Sequence, residues 1–283
     1  MQTPVIVIAN QKGGVGKTTT AVNLSACVAE RRKKVLLIDL DPQANATSGV
    51  GMEKKSGYSI YNVLLGEGRL EELIQTTSFD RLDLVASEVD LAGAEIDVAR
   101  SDRYLHRFKE AVTPLRDAGR YDYIFVDCPP SLGILTMNAL TAAQSILIPI
   151  QCEYYALEGL SVITRLVQQL RESGANPALD IEGIVMTMYD MRTNLSQQVV
   201  QEVTHHFGDK LFETLIPRTI RLSEAPSFGK PIIAYDKHCT GSAAYRQLAR
   251  EFLKRRKLVG QDSTPDEDLG EQIPEPAPVA PPS

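Results

Sequence analysis

Residues 10–19 read NQKGGVGKTT, between the apolar run PVIVIA at 4–9 and a segment, Thr18 to Glu30, in which Val22, Leu24 and Val28 recur at helical spacing. A short apolar strand, a glycine-rich turn and a helix form the setting in which a backbone wraps phosphate. Gly13, Gly14 and Gly16 let the chain close round a polyanion without Cβ clashes. Their N–H groups and the start of the helix supply oriented positive dipoles. Lys17 sets a charge against the β- and γ-phosphates, Thr18 offers a hydroxyl to Mg2+, and Val15 and Thr19 complete the nucleotide-binding turn. The loop departs from the simple G-x-x-x-x-G-K-[ST] spacing, with Lys12 where a neutral residue is usual. A second lysine does not easily reach around its own loop. It is better placed to meet the phosphates of a nucleotide on another subunit, as an arginine finger does in trans.

Working outward, KVLLIDL (34–40), YDYIFVD (121–127), SILIPI (145–150) and the run from Ile181 to Met188 read as further buried strands. Leu157 to Leu170, Asn194 to Phe207 and Ser242 to Leu253 read as helices. This alternation predicts an α/β fold of the P-loop NTPase kind, a mostly parallel twisted sheet with helices on both faces. Asp127 at a strand end, beside the glycine-rich turn, is where a Mg2+-linked carboxylate belongs. Asp39 and Asp41 follow the second strand, and one of them is placed to orient an attacking water.

The chain of 283 residues is 43% hydrophobic, enough for a sizeable core, and no apolar run is long enough to span a membrane. The start, MQTPVIVIANQKGG, lacks the features of a signal peptide. Cys27, Cys128, Cys152 and Cys239 have no metal-ligand spacing and read as reduced cytosolic thiols. The formal charge of −6 argues at first against nucleic acid, but residues 261–283 carry six Asp and Glu with no Lys or Arg, so residues 1–260 balance. From Arg192 to Lys257 there are 12 Lys and Arg against 6 Asp and Glu. The expected division is a nucleotide-binding domain at 1–260 and an acidic, proline-rich, disordered tail at 261–283.

KGGVGKTT, VLLIDLDPQANATSG and VDCPPSLG, at these spacings, resemble the deviant Walker A ATPases of the MinD/ParA superfamily. RTNLSQQVVQEV (192–203) and IPRTIRLSEAPSFGKPI (216–232) are similar to the ParA/Soj branch, the partition ATPases. The resemblance covers about residues 3–256 and implies the roles that follow. Lys12 contacts nucleotide across an ATP-sandwich homodimer, Lys17 serves the phosphates in cis, and Thr18 and, through water, Asp127 hold Mg2+. Asp41 positions or activates the hydrolytic water and Asp39 supports its loop. Pro217 and Thr219 fall at adenine contacts, although many relatives have Asn at the second position. Arg192 and Arg221, with Arg218 a weaker candidate, contact DNA without sequence preference.

The resemblance also implies slow ATP hydrolysis stimulated by a ParB-like centromere-binding protein, and a cytoplasmic, nucleoid-associated protein. The alternative is a MinD-like membrane-associated ATPase, but Phe252, Leu253 and Leu258 are too few for its amphipathic helix, so no membrane is expected. The acidic tail is placed to compete with DNA for basic surface. Removing 261–283 is then expected to tighten DNA binding at low salt, and unchanged affinity in a filter-retention assay leaves the tail inert.

Overall fold

The computed structural model describes residues 2–54, 57 and 59–259, so the acidic tail lies outside the described residues. Its strands are β1 (Val5–Ile8), β2 (Val35–Asp39), β3 (Ile74–Thr76), β4 (Leu82–Val85), β5 (Tyr123–Asp127), β6 (Ser145–Gln151) and β7 (Asp180–Thr187). They form one seven-stranded sheet in the order β3-β4-β2-β5-β1-β6-β7. Every pairing is parallel except that of the edge strand β3 with β4. The mostly parallel sheet expected from sequence is therefore present. β3 and β4 were not anticipated: they are short, and LDLV becomes a strand by pairing in register with β2.

The helices are α1 (Lys17–Glu30), α2 (Asn45–Gly49), α3 (Tyr61–Leu64), α4 (Leu91–Ala99), α5 (Arg107–Ala118), α6 (Ile134–Ala142), α7 (Ala156–Glu172), α8 (Asn194–Phe207), α9 (Ile220–Glu224), α10 (Ile232–Tyr235) and α11 (Thr240–Val259). Successive strand residues point to opposite faces, so one sequence run feeds two cores. Val5, Val7, Leu36 and Ile38 pack beneath α5, α6 and α7 through Phe108, Leu115, Ala139, Leu160 and Ile163. Ile6, Ile8, Val35 and Leu37 pack beneath α1 and α11 through Leu24, Val28, Leu248 and Phe252. α6 is buried almost all round, with Leu135, Ala139 and Leu140 in contact with the core, so it carries no one-sided stripe by which the sequence could announce it.

One constraint sits in β7. A Cβ at Gly183 would lie 2.8 Å from Phe212 Cδ2 and 2.9 Å from the Lys210 carbonyl oxygen. The Phe212 ring is fully buried and the carbonyl belongs to backbone, so neither can retreat cheaply. Gly183→Ala is expected to destabilise the protein by about 1–3 kcal/mol, read as a lower urea midpoint with an unchanged slope.

Candidate functional site

The glycine-rich loop is pinned at both ends before any ligand arrives. Asn10 donates its side-chain amide to the Pro149 carbonyl at 2.8 Å and accepts the Lys12 N–H at 3.0 Å. Thr187, at the end of β7, donates its hydroxyl to the Val15 carbonyl at 2.8 Å. Gly14 and Gly16 hold φ of 75° and 86°, the left-handed region where glycine is favoured, and Gly16 caps α1. This geometry leaves the first turn of α1 facing the cleft at the C-terminal edge of the sheet.

Three carboxylates meet that edge. Asp39 and Asp127 end adjacent strands and are paired in register. Both are fully buried, and Asp41 is 5% exposed. Asp39 is well served: one oxygen accepts the Thr47 N–H and hydroxyl, each at 2.8 Å, and the other accepts the Asp41 N–H at 3.1 Å. Desolvation nevertheless outweighs these bonds and raises its pKa from 3.8 to about 6. Neither oxygen of Asp127 meets a hydrogen bond of good geometry, although the Thr18 hydroxyl lies near enough to oppose the shift. Burial first, and then the charge of Asp39, raises the Asp127 pKa well above the usual range.

Asp41 accepts the Gln43 N–H at 2.9 Å, and its carbonyl accepts the Ser87 hydroxyl at 2.7 Å. The turn that follows puts Ala44 at φ 52°, a disfavoured conformation for a residue with a Cβ, held by its N–H bond to the Asp41 carbonyl at 2.8 Å.

The two lysines of the loop go different ways. Lys17 is 6% exposed and donates to the Lys12 carbonyl at 3.0 Å. Burial lowers its pKa, and Asp127 and Asp41 partly oppose this. Lys12 reaches outward to the carboxylate of Glu153, with both side chains nearly half exposed. Glu153 had no sequence signal, because 141 residues separate it from its partner. Thr47, Ser87, Asn10 and Thr187 were also not anticipated.

Pro217 bridges Tyr189 just past the end of β7, and the Arg218 N–H bonds the Tyr189 carbonyl at 3.0 Å. The Thr219 hydroxyl accepts the Arg221 N–H at 3.4 Å as the cap of α9. Arg192 is bidentate on Asp190 at 2.9 and 2.7 Å, which lowers the Asp190 pKa to about 2. Arg221 pairs with Glu224 at 3.1 Å and Asp236 at 3.5 Å. Much of the positive excess between Arg192 and Lys257 is met by acids outside that stretch: Arg192 by Asp190, Lys210 by Asp180, Arg246 by Glu30 and Arg256 by Glu182. A linear charge count overstates that surface.

The site fits a magnesium nucleotide on its own features. The loop is a glycine cradle, Lys17 has only a backbone carbonyl to hold, and Asp127 is a buried acid without a partner. Among the described residues no group of three His, Cys, Asp or Glu is arranged to hold a metal. One acid and one hydroxyl suit an ion that keeps waters and phosphate oxygens.

Residues 3–181 match the family described as AAA domain. The chromosome partitioning protein ParA of Caulobacter vibrioides is 47% identical over 254 residues, covering 89% of this chain and 95% of that one. The sporulation initiation inhibitor protein Soj of Bacillus subtilis is 51% identical over 248 residues, covering 87% and 97%. Among solved structures, cobyrinic acid a,c-diamide synthase from Mycobacterium smegmatis with bound ATP analogue and magnesium superposes with a TM-score of 0.77 at 34% identity, covering 93% and 98%.

The buried acids set a stability prediction. An acid whose pKa is raised on folding contributes stability below its unfolded pKa and loses it as pH rises through the folded value. For Asp39 that loss runs from about pH 4 to about pH 6. Asp127→Asn, which removes the unpartnered buried acid, is expected at pH 7.5 to raise the nucleotide-free melting temperature by roughly 2–6 °C. It should also abolish the extra Mg2+-dependent stabilisation by ATP, both read by differential scanning fluorimetry.

Proposed function

We propose that this chain, which belongs to the ParA/Soj family of chromosome-partitioning proteins, is a Mg2+-dependent partition ATPase whose ATP-bound homodimer holds DNA. One observation carries the reading: two lysines of one loop face different ways, Lys17 into its own cleft and Lys12 onto the rim beside Glu153. Lys17 has only to exchange the Lys12 carbonyl for phosphate oxygens in the same cleft. Lys12 is half exposed and paired with Glu153 instead of a group of that cleft, as suits a charge offered to the nucleotide of a second copy. The relatives named for chromosome partitioning, 47–50% identical, outrank the synthase at 34% as guides to the process.

In this reading ATP supplies the phosphoryl group, and Mg2+ neutralises charge on its β- and γ-oxygens. Gly13, Gly14, Val15, Gly16 and Thr19 line the phosphates, Thr18 and Asp127 hold the ion, and Pro217 and Thr219 border the base. Asp41 orients the attacking water, its loop fixed by the Gln43 N–H and the Ser87 hydroxyl. Asp39 is a positioning residue, tying Asp41 and Thr47 to the end of β2. Hydrolysis is slow alone and is stimulated by a ParB-like partner.

Arg192, Arg218 and Arg221 are exposed and would contact DNA phosphates without reading bases. Pairing two copies doubles that surface. Phosphate contacts of this kind make binding salt-sensitive, and Arg192 and Arg221 must leave their carboxylates to form them. The membrane alternative is weakened by α11, whose Leu248, Ala249 and Phe252 are buried in the core. Among the described residues no helix is long and apolar enough to cross a membrane.

The test compares DNA retention and dimer formation, with ATP, for wild type and three variants. Lys17→Ala is expected to lose both, with hydrolysis lowered at least ~100-fold. Asp41→Ala should stay dimeric and DNA-bound while hydrolysing slowly. Arg192→Ala should dimerise but release DNA at lower salt. Equal retention by all four proteins would sink the proposal.

A further inference from the structure

Four consecutive cations, Arg31, Arg32, Lys33 and Lys34, form the turn between α1 and β2. Arg31, Arg32 and Lys34 are exposed and Lys33 is half-buried. Among the described residues none of these four side chains is in an ion pair. Acids beside the turn are already engaged. Glu30 holds Arg246 at 2.8 Å, Asp80 holds Arg81 at 3.4 Å, and Asp122 accepts the Lys34 backbone N–H at 2.7 Å. Arg81, neutralised by Asp80, donates to the Arg32 carbonyl at 3.3 Å and braces the turn. By contrast, four of the five cations near the end of α11 have partners: Arg255 on Glu251 at 2.7 Å, Arg256 on Glu182, and Arg250 and Lys257 in contacts of their own, with only Lys254 exposed and outside any ion pair among the described residues. This turn is therefore a run of four adjacent cations outside any ion pair among the described residues, at the N-terminal edge of the sheet. Arg192 and Arg218 lie past the end of β7, at the other edge.

The chain itself supplies a polyanion close by. Beyond the described residues it continues with Asp262, Asp266, Glu267, Asp268, Glu271 and Glu275, and no Lys or Arg. α11 ends at the same sheet edge as the turn, since Arg256 bonds the Ser145 hydroxyl at 2.7 Å where β6 begins. α1 and α11 also cover the same face. In the strand order β2-β5-β1-β6, the turn and the end of α11 are three strand spacings apart, about 14 Å. The stretch from Val259 to Asp266, when extended, spans up to about 23 Å.

We infer that the acidic segment 262–275 docks in cis on the Arg31–Lys34 turn, setting Asp266, Glu267 and Asp268 against its four cations. Docking there neutralises a second anion-attracting surface at the edge away from the nucleotide loop. The inference goes beyond the partition reading and stands without it, so its test uses nucleotide-free full-length protein.

A zero-length carbodiimide couples carboxylates to lysine amines they already touch. In a mixture of isotopically heavy and light protein at low salt, Lys33 and Lys34 are expected to cross-link to Asp266–Asp268 within one copy. The yield should fall at least about fivefold between roughly 0.02 and 0.5 M salt. It should fall as far in the double variant Arg31→Glu, Arg32→Glu, whose exposed positions leave the melting temperature unchanged. Absence of these cross-links at low salt, coupling of the acids to other lysines instead, or yields indifferent to the double variant would overturn the inference. Cross-links chiefly between heavy and light copies would assign the surface to a second molecule and overturn it as well.

Discussion

Two carboxylates, Asp39 and Asp127, end neighbouring parallel strands in register and are both fully buried. Like charges so placed, out of water, cannot both ionise cheaply, and the rest of the site is organised around that cost. Asp39 is met by three hydrogen bonds from Asp41 and Thr47, which tie the loop after β2 to the sheet. Asp127 is met by none of good geometry and faces the buried Lys17. A buried acid in that condition is chemically suited to a cation. The glycine turn that delivers Lys17 and Thr18 opens from β1, the other neighbour of β5. The P-loop, the acid and the second-strand aspartates converge because the strand order puts β5 between β1 and β2.

The same loop separates two positive charges by burial. Lys17 lies inside, its ammonium destabilised by desolvation and held by a carbonyl. Lys12 stays on the rim with a carboxylate partner. A charge in a dry cleft acts on whatever enters that cleft, and a rim charge acts on whatever approaches from outside. One short segment thus holds one lysine buried and the other at the surface. Elsewhere the charge that matters is what remains after pairing. Arg192, Lys210, Arg246 and Arg256 are matched by acids lying outside 192–257, whereas the run at 31–34 is not matched.

Much of the fold was legible because buried parallel strands are written as apolar runs. β1, β2, β5, β6 and β7 were found to within a few residues, as were α1, α7, α8 and α11. β3 and β4 were not, since strands of three and four residues carry too little pattern and owe their burial to β2. α6 was missed because burial on all sides erases the period that marks a helix. Lys12, Lys17, Thr18, Asp39, Asp41 and Asp127 were legible because each belongs to a short contiguous motif. Glu153, Thr47, Ser87 and Thr187 were not, because each acts on a residue far away in the chain or adds an ordinary polar side chain to a loop.

By itself, the sequence determined the strand–loop–helix element of the candidate site, the α/β architecture and the family, because local backbone chemistry and apolar periodicity are properties of contiguous residues. Only the tertiary structure decided which acid lacks a partner, where each lysine of the loop points, and which cations remain unneutralised. Those depend on burial and on pairings between residues as far apart as Lys12 and Glu153 or Glu30 and Arg246, which the chain brings together only when the sheet is assembled.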